Sequence, residues 1–369
     1  MGGLQAFYRL ISIGCIVPAA VAFSQRQQTT TDRQRLNQRE RTVKFLRKTL
    51  WSSCIAAFGA FASSHASADN IRIANLSALV GDPYFISMKC GAEHAAKYLG
   101  ITFLWNGSTS PGVAEQIKVM DALKLQNPDG WMVTSFSSSA LIQPIKEQMA
   151  AGKPVVLADG TLDEEAMLQG FHSDNSGAAE EIAKFVSQHV KGKGKVGVIA
   201  SFPGNPVDQA RYEDLPASLA KLAPQLEVLP FEFGKVDSSL SAKIAAGLIL
   251  AHPDLTVLYA TNGAQAQGVV SAVRSANAQD RIQVVAYDAT PDEVQALRDN
   301  RIQALLAQSP YLIGESAVKA LVEYLRANPG GAAVKPKKPI YSMTPIMMLT
   351  KDNIDSEAAK PFPYLSVCK

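Results

Sequence analysis

From Asn70 onward, short apolar runs of strand length alternate with segments of helical periodicity along the chain. Ile282–Tyr287 is one such strand, and the apolar residues that follow Tyr84 recur three or four positions apart, as in a helix. Regular alternation of this kind predicts parallel sheets with right-handed crossovers, which is the doubly wound α/β class. About ten strands are too many for one domain of ordinary size, so we expect two lobes.

A break near residues 173–176 separates two series of strands. The predicted strand Ile340–Leu349 and a helix at Ile313–Arg326 remain, and we expect them to complete each sheet by crossing back. Two lobes joined by several strands form a hinge. The predicted bounds are residues 70–172 and 309–338 for the amino-terminal lobe, 173–308 and 339–350 for the carboxy-terminal lobe, and 351–369 for a tail.

The residues before Asn70 have the order of a secretory leader. A basic segment around Lys44–Lys48 precedes the apolar stretch Leu50–Ala62, and Ala66–Ala68 has the small-x-small form of a cleavage site. This predicts a periplasmic protein with a leader of residues 1–68, in which the signal peptide occupies about residues 44–68. A buried amphipathic helix is the alternative interpretation of the apolar stretch.

Residues 1–43 are unusual upstream of a signal peptide, and we expect translation to begin near Val43. Removal of residues 1–68 takes away 9 of the 36 basic residues and 2 of the 33 acidic residues. The mature chain then has a net charge near −4 instead of +3. This balance argues against nucleic acid as a partner.

Two cysteines, Cys90 and Cys368, remain after the leader with Cys15 and Cys54 is removed. Disulfides persist in exported proteins, so these two can pair. Cys90 can equally be a small buried residue without a partner.

Asp288 directly follows the buried strand Ile282–Tyr287 and precedes a helix. Thr290 suits the N-cap of that helix, Pro291 its first position, and Glu293 completes a capping box. Asp288 therefore lies at the carboxyl end of a parallel strand, where open α/β sheets bind ligands. A turn residue without a binding role is the alternative.

Polar side chains recur at corresponding strand ends, accompanied by aromatic rings. They are Asp82, Asp159, Asn262, Asp288 and Gln308, with Arg211 on the segment after Ser201, and the rings are Tyr84, Phe85, Trp131 and Phe233. Carboxylates and amides hydrogen-bond hydroxyl groups, while flat rings pack on the C–H faces of a small polar molecule. Each polar residue alone would be a cap or turn residue, but their recurrence predicts a binding site.

Enzyme motifs are not convincing in this chain. Gly192–Gly197 spells G-x-G-x-x-G, but it precedes a strand instead of opening a helix, so it is better interpreted as a loop. A Walker A loop, a His-Glu-x-x-His motif and cysteine pairs at zinc spacing do not occur in the sequence. We expect no enzymatic activity and no cofactor.

The segment Ile71–Leu349 resembles, in order, the sugar-binding periplasmic proteins of ABC transporters, of the ribose-binding kind. Gly81–Ala92 matches the family's first strand-to-helix turn, and Ser173–Asn175 matches its hinge motif. Tyr287–Asp292 and Ala307–Pro310 match especially closely. The resemblance implies the type I periplasmic binding fold, with ligand contacts from Asp82, Tyr84, Phe85, Asp159, Arg211, Phe233, Asn262, Asp288 and Gln308.

The resemblance further implies a monomer that captures a sugar or polyol and delivers it to an ABC transporter permease. A sensory module that docks on a membrane receptor or sensor kinase is the alternative. The lactose-repressor class shares the lobe pair, but a leader replaces its DNA-binding domain here. Gly160 stands where ribose binders carry Arg, and Asp82 replaces their Asn, so another pentose, a deoxyhexose, a polyol or a cationic solute is possible.

Neither mature cysteine is needed by the resembling family. The segment Pro361–Leu365 before Cys368 is also too apolar for a free end. These two points lead to the hypothesis that the tail lies back across the amino-terminal lobe, tied there by a Cys90–Cys368 disulfide. A tail that clamps one lobe predicts lower thermal stability on reduction, with little change in ligand affinity.

Overall fold

The structure is a computed structural model and describes residues 70–110, 112–135, 137–204 and 206–368. The predicted signal peptide, its cleavage site, the start near Val43 and the leader cysteines lie outside the described residues. Within them, no helix is long and apolar enough to cross a membrane.

Most strands occur where the apolar runs predict them. In chain order they are β1 (Arg72–Ser77), β2 (Thr102–Gly107), β3 (Gly130–Val133), β4 (Val155–Ala158), β5 (Gln169–Ser173), β6 (Gly194–Ala200), β7 (Leu226–Val228), β8 (Glu232–Phe233), β9 (Leu255–Ala260), β10 (Gln283–Tyr287), β11 (Ala304–Ala307), β12 (Tyr341–Thr344) and β13 (Met347–Leu349). The segment Gly192–Gly197, predicted as a loop, is only partly one: residues 192–193 lead into β6, and Gly194–Gly197 are the first residues of that strand.

Helices fill the gaps between strands. They are α1 (Pro83–Leu99), α2 (Val113–Lys124), α3 (Ile142–Ala150), α4 (Ala178–His189), α5 (Pro206–Tyr212), α6 (Leu215–Leu222), α7 (Ser238–Ala251), α8 (Gly263–Ser275), α9 (Pro291–Arg298) and α10 (Pro310–Ala327), with short 3-10 turns at Asn175–Gly177 and Glu357–Ala359.

The strands form two sheets, which confirms the two-lobed α/β fold. The first is six-stranded and parallel in the order β12-β5-β4-β3-β1-β2. The second is seven-stranded in the order β13-β11-β10-β9-β6-β7, with β8 also paired to β6 and β13 alone antiparallel. We call each sheet with its packed helices the first lobe and the second lobe. Strands covered on both faces must be apolar throughout, and β3, β4 and β11 are buried along their whole length.

In the first lobe, α1 and α10 touch backbone to backbone. A β-carbon added to Gly91 would lie 1.9 Å from the carbonyl oxygen of Tyr311, and one added to Gly314 would lie 2.0 Å from that of Met88. Only glycine permits so close an approach. The contact orients α1, and therefore the predicted ligand residues at its start.

The segment Ile340–Leu349, predicted as one strand, is divided between the lobes. β12 pairs with β5 in the first sheet, while β13 pairs with β11 in the second. Pro345 lies between them and has no N–H with which to continue a ladder. The assignment of residues 339–350 to the carboxy-terminal lobe is therefore wrong for β12, and the β12–β13 connection is itself a crossing between the lobes.

The tail packs mainly on the second lobe. Ile354, Ala359, Phe362 and Tyr364 are buried in the core formed around β9, β10 and β11. The chain then reaches the first lobe, where Cys368 forms a disulfide pair with Cys90, with their Cα atoms 5.1 Å apart. The expectation that the tail clamps the amino-terminal lobe alone is wrong, because its apolar side chains fill the core of the other lobe.

Candidate functional site

A cleft lies at the carboxyl ends of the strands. It contains a cavity of about 560 Å³. First-lobe residues Phe85, Thr134, Asp159 and Gly160 line it, and Pro203 and Gly204 of the second lobe complete it. Both lobes thus contribute to one partly open cavity, as the sequence predicts for a ligand held between them.

Asp82, Tyr84 and Phe85 are presented by the start of α1. Asp82 is the N-cap, and its Oδ1 accepts the backbone N–H of Tyr84 at 2.8 Å. This bond fixes the turn, so that the rings of Tyr84 and Phe85 meet edge to face with centroids 5.2 Å apart. The surrounding cleft raises the pKa of Asp82 above its usual value through desolvation, although the residue remains open to solvent, and the charge of Asp288 adds to the effect.

Asp159 follows β4 with a left-handed backbone, at φ 70°. Its N–H donates to the carbonyl of Phe171 at 2.7 Å, which holds it at the end of β4 beside β5. Desolvation raises the pKa of its carboxyl, with the Gly160 N–H and the charge of Arg211 acting in the opposite direction. A β-carbon on Gly160 would have a single neighbour, Ser135 O at 3.6 Å, so this position leaves open space in the cleft.

Arg211 is held flat in the second lobe. Its Nη1 donates to the carbonyl of Thr261 at 2.9 Å, and its guanidinium lies 4.0 Å from the ring centre of Tyr287. Tyr287 in turn donates to Asn175 Oδ1 at the hinge. Within the described part of the chain, the buried Nε of Arg211 finds no hydrogen-bond partner. A buried donor of this kind indicates a ligand acceptor.

Asp288 is the most tightly held acid of the site. Its Oδ1 accepts both Gln308 Nε2, at 2.7 Å, and the hydroxyl of Tyr364, at 2.9 Å. The residue has φ 88°, so its side chain projects from a sharp turn at the end of β10. Oδ2 makes no hydrogen bond to any described residue. The carboxylate is therefore oriented at one oxygen and available at the other.

Tyr364 belongs to the site although it was not predicted from the sequence. Its ring meets that of Tyr84 edge to face, with centroids 5.5 Å apart. Burial and the charge of Asp288 hold the pKa of its hydroxyl well above the ordinary value, so it remains a neutral donor. The apolar segment Pro361–Leu365 was the signal that this residue is buried, but it did not indicate where.

Asn262 and Phe233 have a weaker connection to the cleft. The Oδ1 of Asn262 accepts the N–H groups of Ala264 and Gln265, which makes it the N-cap of α8 and leaves its amide nitrogen for another partner. Phe233 ends the short β8 and is half-buried. Like Asp82, Tyr84, Arg211, Asp288 and Gln308, they are not among the described residues that line the cavity, and unlike those residues they make no contact or charge interaction with another predicted ligand residue. Their contact with a ligand remains a prediction.

The assembled groups combine hydrogen-bonding side chains with aromatic rings. Asp82, Asp159 and Tyr84 come from the first lobe, and Arg211 and Asp288 from the second. Charges act across the cleft, since Arg211 influences the pKa of Asp159 and Asp288 that of Asp82. No group of three His, Cys, Asp or Glu side chains suited to a metal ion occurs among the described residues. The arrangement suits recognition of a compound with several hydroxyl groups.

Curated relatives of the chain include two binding proteins of Escherichia coli. The ribose import binding protein of Escherichia coli is 26% identical over 284 residues, which cover 77% of this chain and 93% of that protein. The D-allose-binding periplasmic protein of the same organism is 24% identical, covering 74% of this chain and 89% of its own length.

A solved structure and a family model agree with these relatives. An ABC transporter solute binding protein from Agrobacterium vitis, bound with α-D-tagatopyranose, has a TM-score of 0.69 and 27% identity, covering 80% of this chain and 99% of that one. The model of the periplasmic binding protein domain matches residues 73–329. With most of both lobes matched in sequence and fold, the chain belongs to the periplasmic binding protein domain family.

Proposed function

We propose that the protein is a periplasmic solute-binding protein that captures a small sugar or polyol between its lobes and delivers it to an ABC permease. The observation that carries the proposal is the approach of charged groups from both lobes: the charge of Arg211 acts on Asp159 and that of Asp288 on Asp82, and the buried Arg211 Nε has no hydrogen-bond partner among the described residues. A hydroxyl can donate to the carboxylate and accept from the guanidinium at once. Relatives bind ribose and D-allose, which present several such hydroxyls.

Closure of the lobes would follow from binding. Asp159 and Phe85 stand on the first lobe and Arg211 and Asp288 on the second, so a ligand gains all its contacts only in the closed state. A ligand shifts the equilibrium in proportion to its preference for that state. The three chain crossings between the sheets, at residues 173–178, 308–310 and 344–347, provide the hinge.

The class of sugar is set by two departures from ribose binders. The glycine at position 160 removes a cation and leaves space beside Asp159, while Asp82 adds a carboxylate. Three carboxylates, those of Asp82, Asp159 and Asp288, then act on one another or on the guanidinium of Arg211. We therefore expect a neutral or amine-bearing compound, with a bulkier substituent at the Gly160 side than ribose carries there.

Calorimetry on the mature chain tests the proposal. The panel contains pentoses, hexoses, deoxyhexoses, polyols and an amino sugar, and we expect one class to bind with unit stoichiometry. Any sugar that binds should be recovered unchanged, because we expect no enzymatic activity. Binding of a nucleotide or peptide, with no binding of any panel member, would show that the site has been assigned wrongly.

Export is a separate part of the proposal. We propose that the mature chain begins near Asp69, after the Ala66–Ala68 cleavage site, and acts as a monomer without nucleic acid. Mass spectrometry of the periplasmic form gives the amino terminus directly, and light scattering gives the oligomeric state. A periplasmic protein that retains residues 44–68 would contradict the predicted signal peptide.

A further inference from the structure

The tail passes from the second lobe to the first within two consecutive residues. The N–H of Tyr364 donates to the carbonyl of Ala289 in the second lobe at 2.8 Å. The N–H of the next residue, Leu365, donates to Ser87 Oγ on α1 of the first lobe at 2.6 Å. Consecutive Cα atoms are about 3.8 Å apart, so the two lobes are held by neighbouring residues. Lobe separation at this point must break one of these contacts.

Each side of this junction is anchored. On the second lobe, Phe362 and Tyr364 are 6% and 5% exposed, and Arg298 pairs with Asp355 at 2.7 Å. On the first lobe, the Cys90–Cys368 pair attaches the end of the tail to α1, whose Met88 and Ala92 are part of the core. The tail therefore cannot leave one lobe without loss of buried contacts, nor the other without reduction of a disulfide.

The crossing point lies beside an existing part of the hinge. Ser309, between β11 and α10, donates from its Oγ to the carbonyl of Pro361 at 3.1 Å. The tail thus runs alongside the 308–310 crossover. Gln308 and Tyr364, from these two neighbouring segments, both donate to the same oxygen of Asp288.

We propose that the carboxy-terminal tail is a fourth connection of the hinge, closed by the Cys90–Cys368 disulfide, that limits lobe opening and positions Asp288 through Tyr364. The inference rests on the proposed binding function for its effect on affinity, but its effect on lobe opening is independent of any ligand. Tyr364 is a positioning residue, because it acts on the ligand through the carboxylate that it orients. Reduction separates the two sulfurs as two thiols, with the electrons supplied by an added thiol or phosphine reductant.

The first experiment needs no ligand. Small-angle scattering and amide exchange are compared for oxidised wild type, the same protein in a phosphine reductant, and Cys368→Ser. We expect a larger radius of gyration and faster exchange at Leu365 after reduction or substitution. Val367→Ala is the matched control, because Val367 is 64% exposed and the disulfide is retained. An unchanged radius of gyration and unchanged exchange would overturn the fourth connection.

The second experiment separates positioning from stability. Tyr364→Phe keeps the buried ring and removes the hydroxyl that donates to Asp288. D-ribose, D-allose, D-tagatose and D-fucose are titrated separately into wild type and variant by calorimetry. For each sugar that wild type binds, we expect Kd to rise about tenfold, the effect of one hydrogen bond to a charged group, while lobe opening stays unchanged. Wild-type affinity in Tyr364→Phe would overturn the positioning role.

Thiol labelling decides whether the connection is covalent. Denatured periplasmic material should show no thiol that reacts before reduction, and two after it. Two reactive thiols before reduction would overturn the closed connection. Failure of the whole calorimetry panel to bind, these four sugars included, would count against the proposed function, and the scattering and labelling results would still decide the tail.

Discussion

Two replacements of Asp288 distinguish its contribution to ligand binding from its contribution to the stability of the fold. Asp288→Ala removes the acceptor of Gln308 Nε2 and of the Tyr364 hydroxyl, and both donors are buried. It also places an alanine at φ 88°, in the left-handed region. Asp288→Asn keeps an acceptor oxygen, and asparagine tolerates this backbone better than other residues. The two variants therefore differ in stability more than in binding.

The expected magnitudes follow from these contacts. In the free protein, an unsatisfied buried donor costs about 1–3 kcal/mol and left-handed alanine about 1–2 kcal/mol. Asp288→Ala leaves two such donors, so we expect it to lower the free energy of unfolding by about 3–8 kcal/mol. We expect Asp288→Asn to lower it by about 1 kcal/mol or less. In binding, either change removes the charged acceptor at Oδ2. This loss costs about 1–3 kcal/mol, or a Kd raised about 5- to 150-fold.

Denaturant unfolding of the free protein and calorimetry with a sugar identified in the panel measure the two effects. Asp292→Asn is the matched control, since Asp292 is exposed in the first turn of α9. The control should match wild type in affinity. If Asp288→Asn binds the sugar as tightly as wild type does, Asp288 does not contact the ligand and the reasoning is refuted.

Three further predictions concern packing, pH and the guanidinium. Gly91→Ala should destabilise the protein by about 1–3 kcal/mol or more, because the new β-carbon would lie 1.9 Å from the backbone of α10. Gly247→Ala, in open space on α7, is the control and should stabilise the protein by about 0.5–1 kcal/mol. Similar unfolding midpoints for the two variants would contradict this prediction. Burial raises the pKa of Glu293 from 4.5 to about 8, so the folded state holds this proton more tightly than the unfolded chain. Protonated Glu293 therefore stabilises the folded state fully below pH 4.5, and this contribution is lost as the pH rises toward about 8. Glu293→Gln should make the free energy of unfolding decline less steeply between these two pH values, which denaturant unfolding at several pH values would measure. Arg211→Lys should weaken sugar binding about tenfold, because a lysine side chain cannot both lie flat on the Tyr287 ring and donate a hydrogen bond to the Thr261 carbonyl. An unchanged Kd in calorimetry would exclude a contact between Arg211 and the ligand.

The local features of the fold were predictable from the sequence. The alternation of apolar runs and helical periodicity indicated the doubly wound lobes, because side-chain period depends on neighbouring residues alone. The capping box was predictable for the same reason: Thr290 and Glu293 exchange the expected hydrogen bonds at the start of α9. Asp288 followed directly, since a capped helix after a buried strand leaves its junction residue at the ligand edge of the sheet.

What the tertiary structure decided involves residues far apart in the chain. Pro345 marks a break in the segment 340–349, but which sheet each half joins depends on which sheet edges are free, and the segment itself carries no mark of that choice. The apolar tail indicated burial but not the surface that buries it, because the hydrophobic effect has no direction. Its contacts with Ala289 and Ser87 arise only when both lobes are in place. Tyr364 therefore enters the site through tertiary packing, 76 residues along the chain from the aspartate it orients.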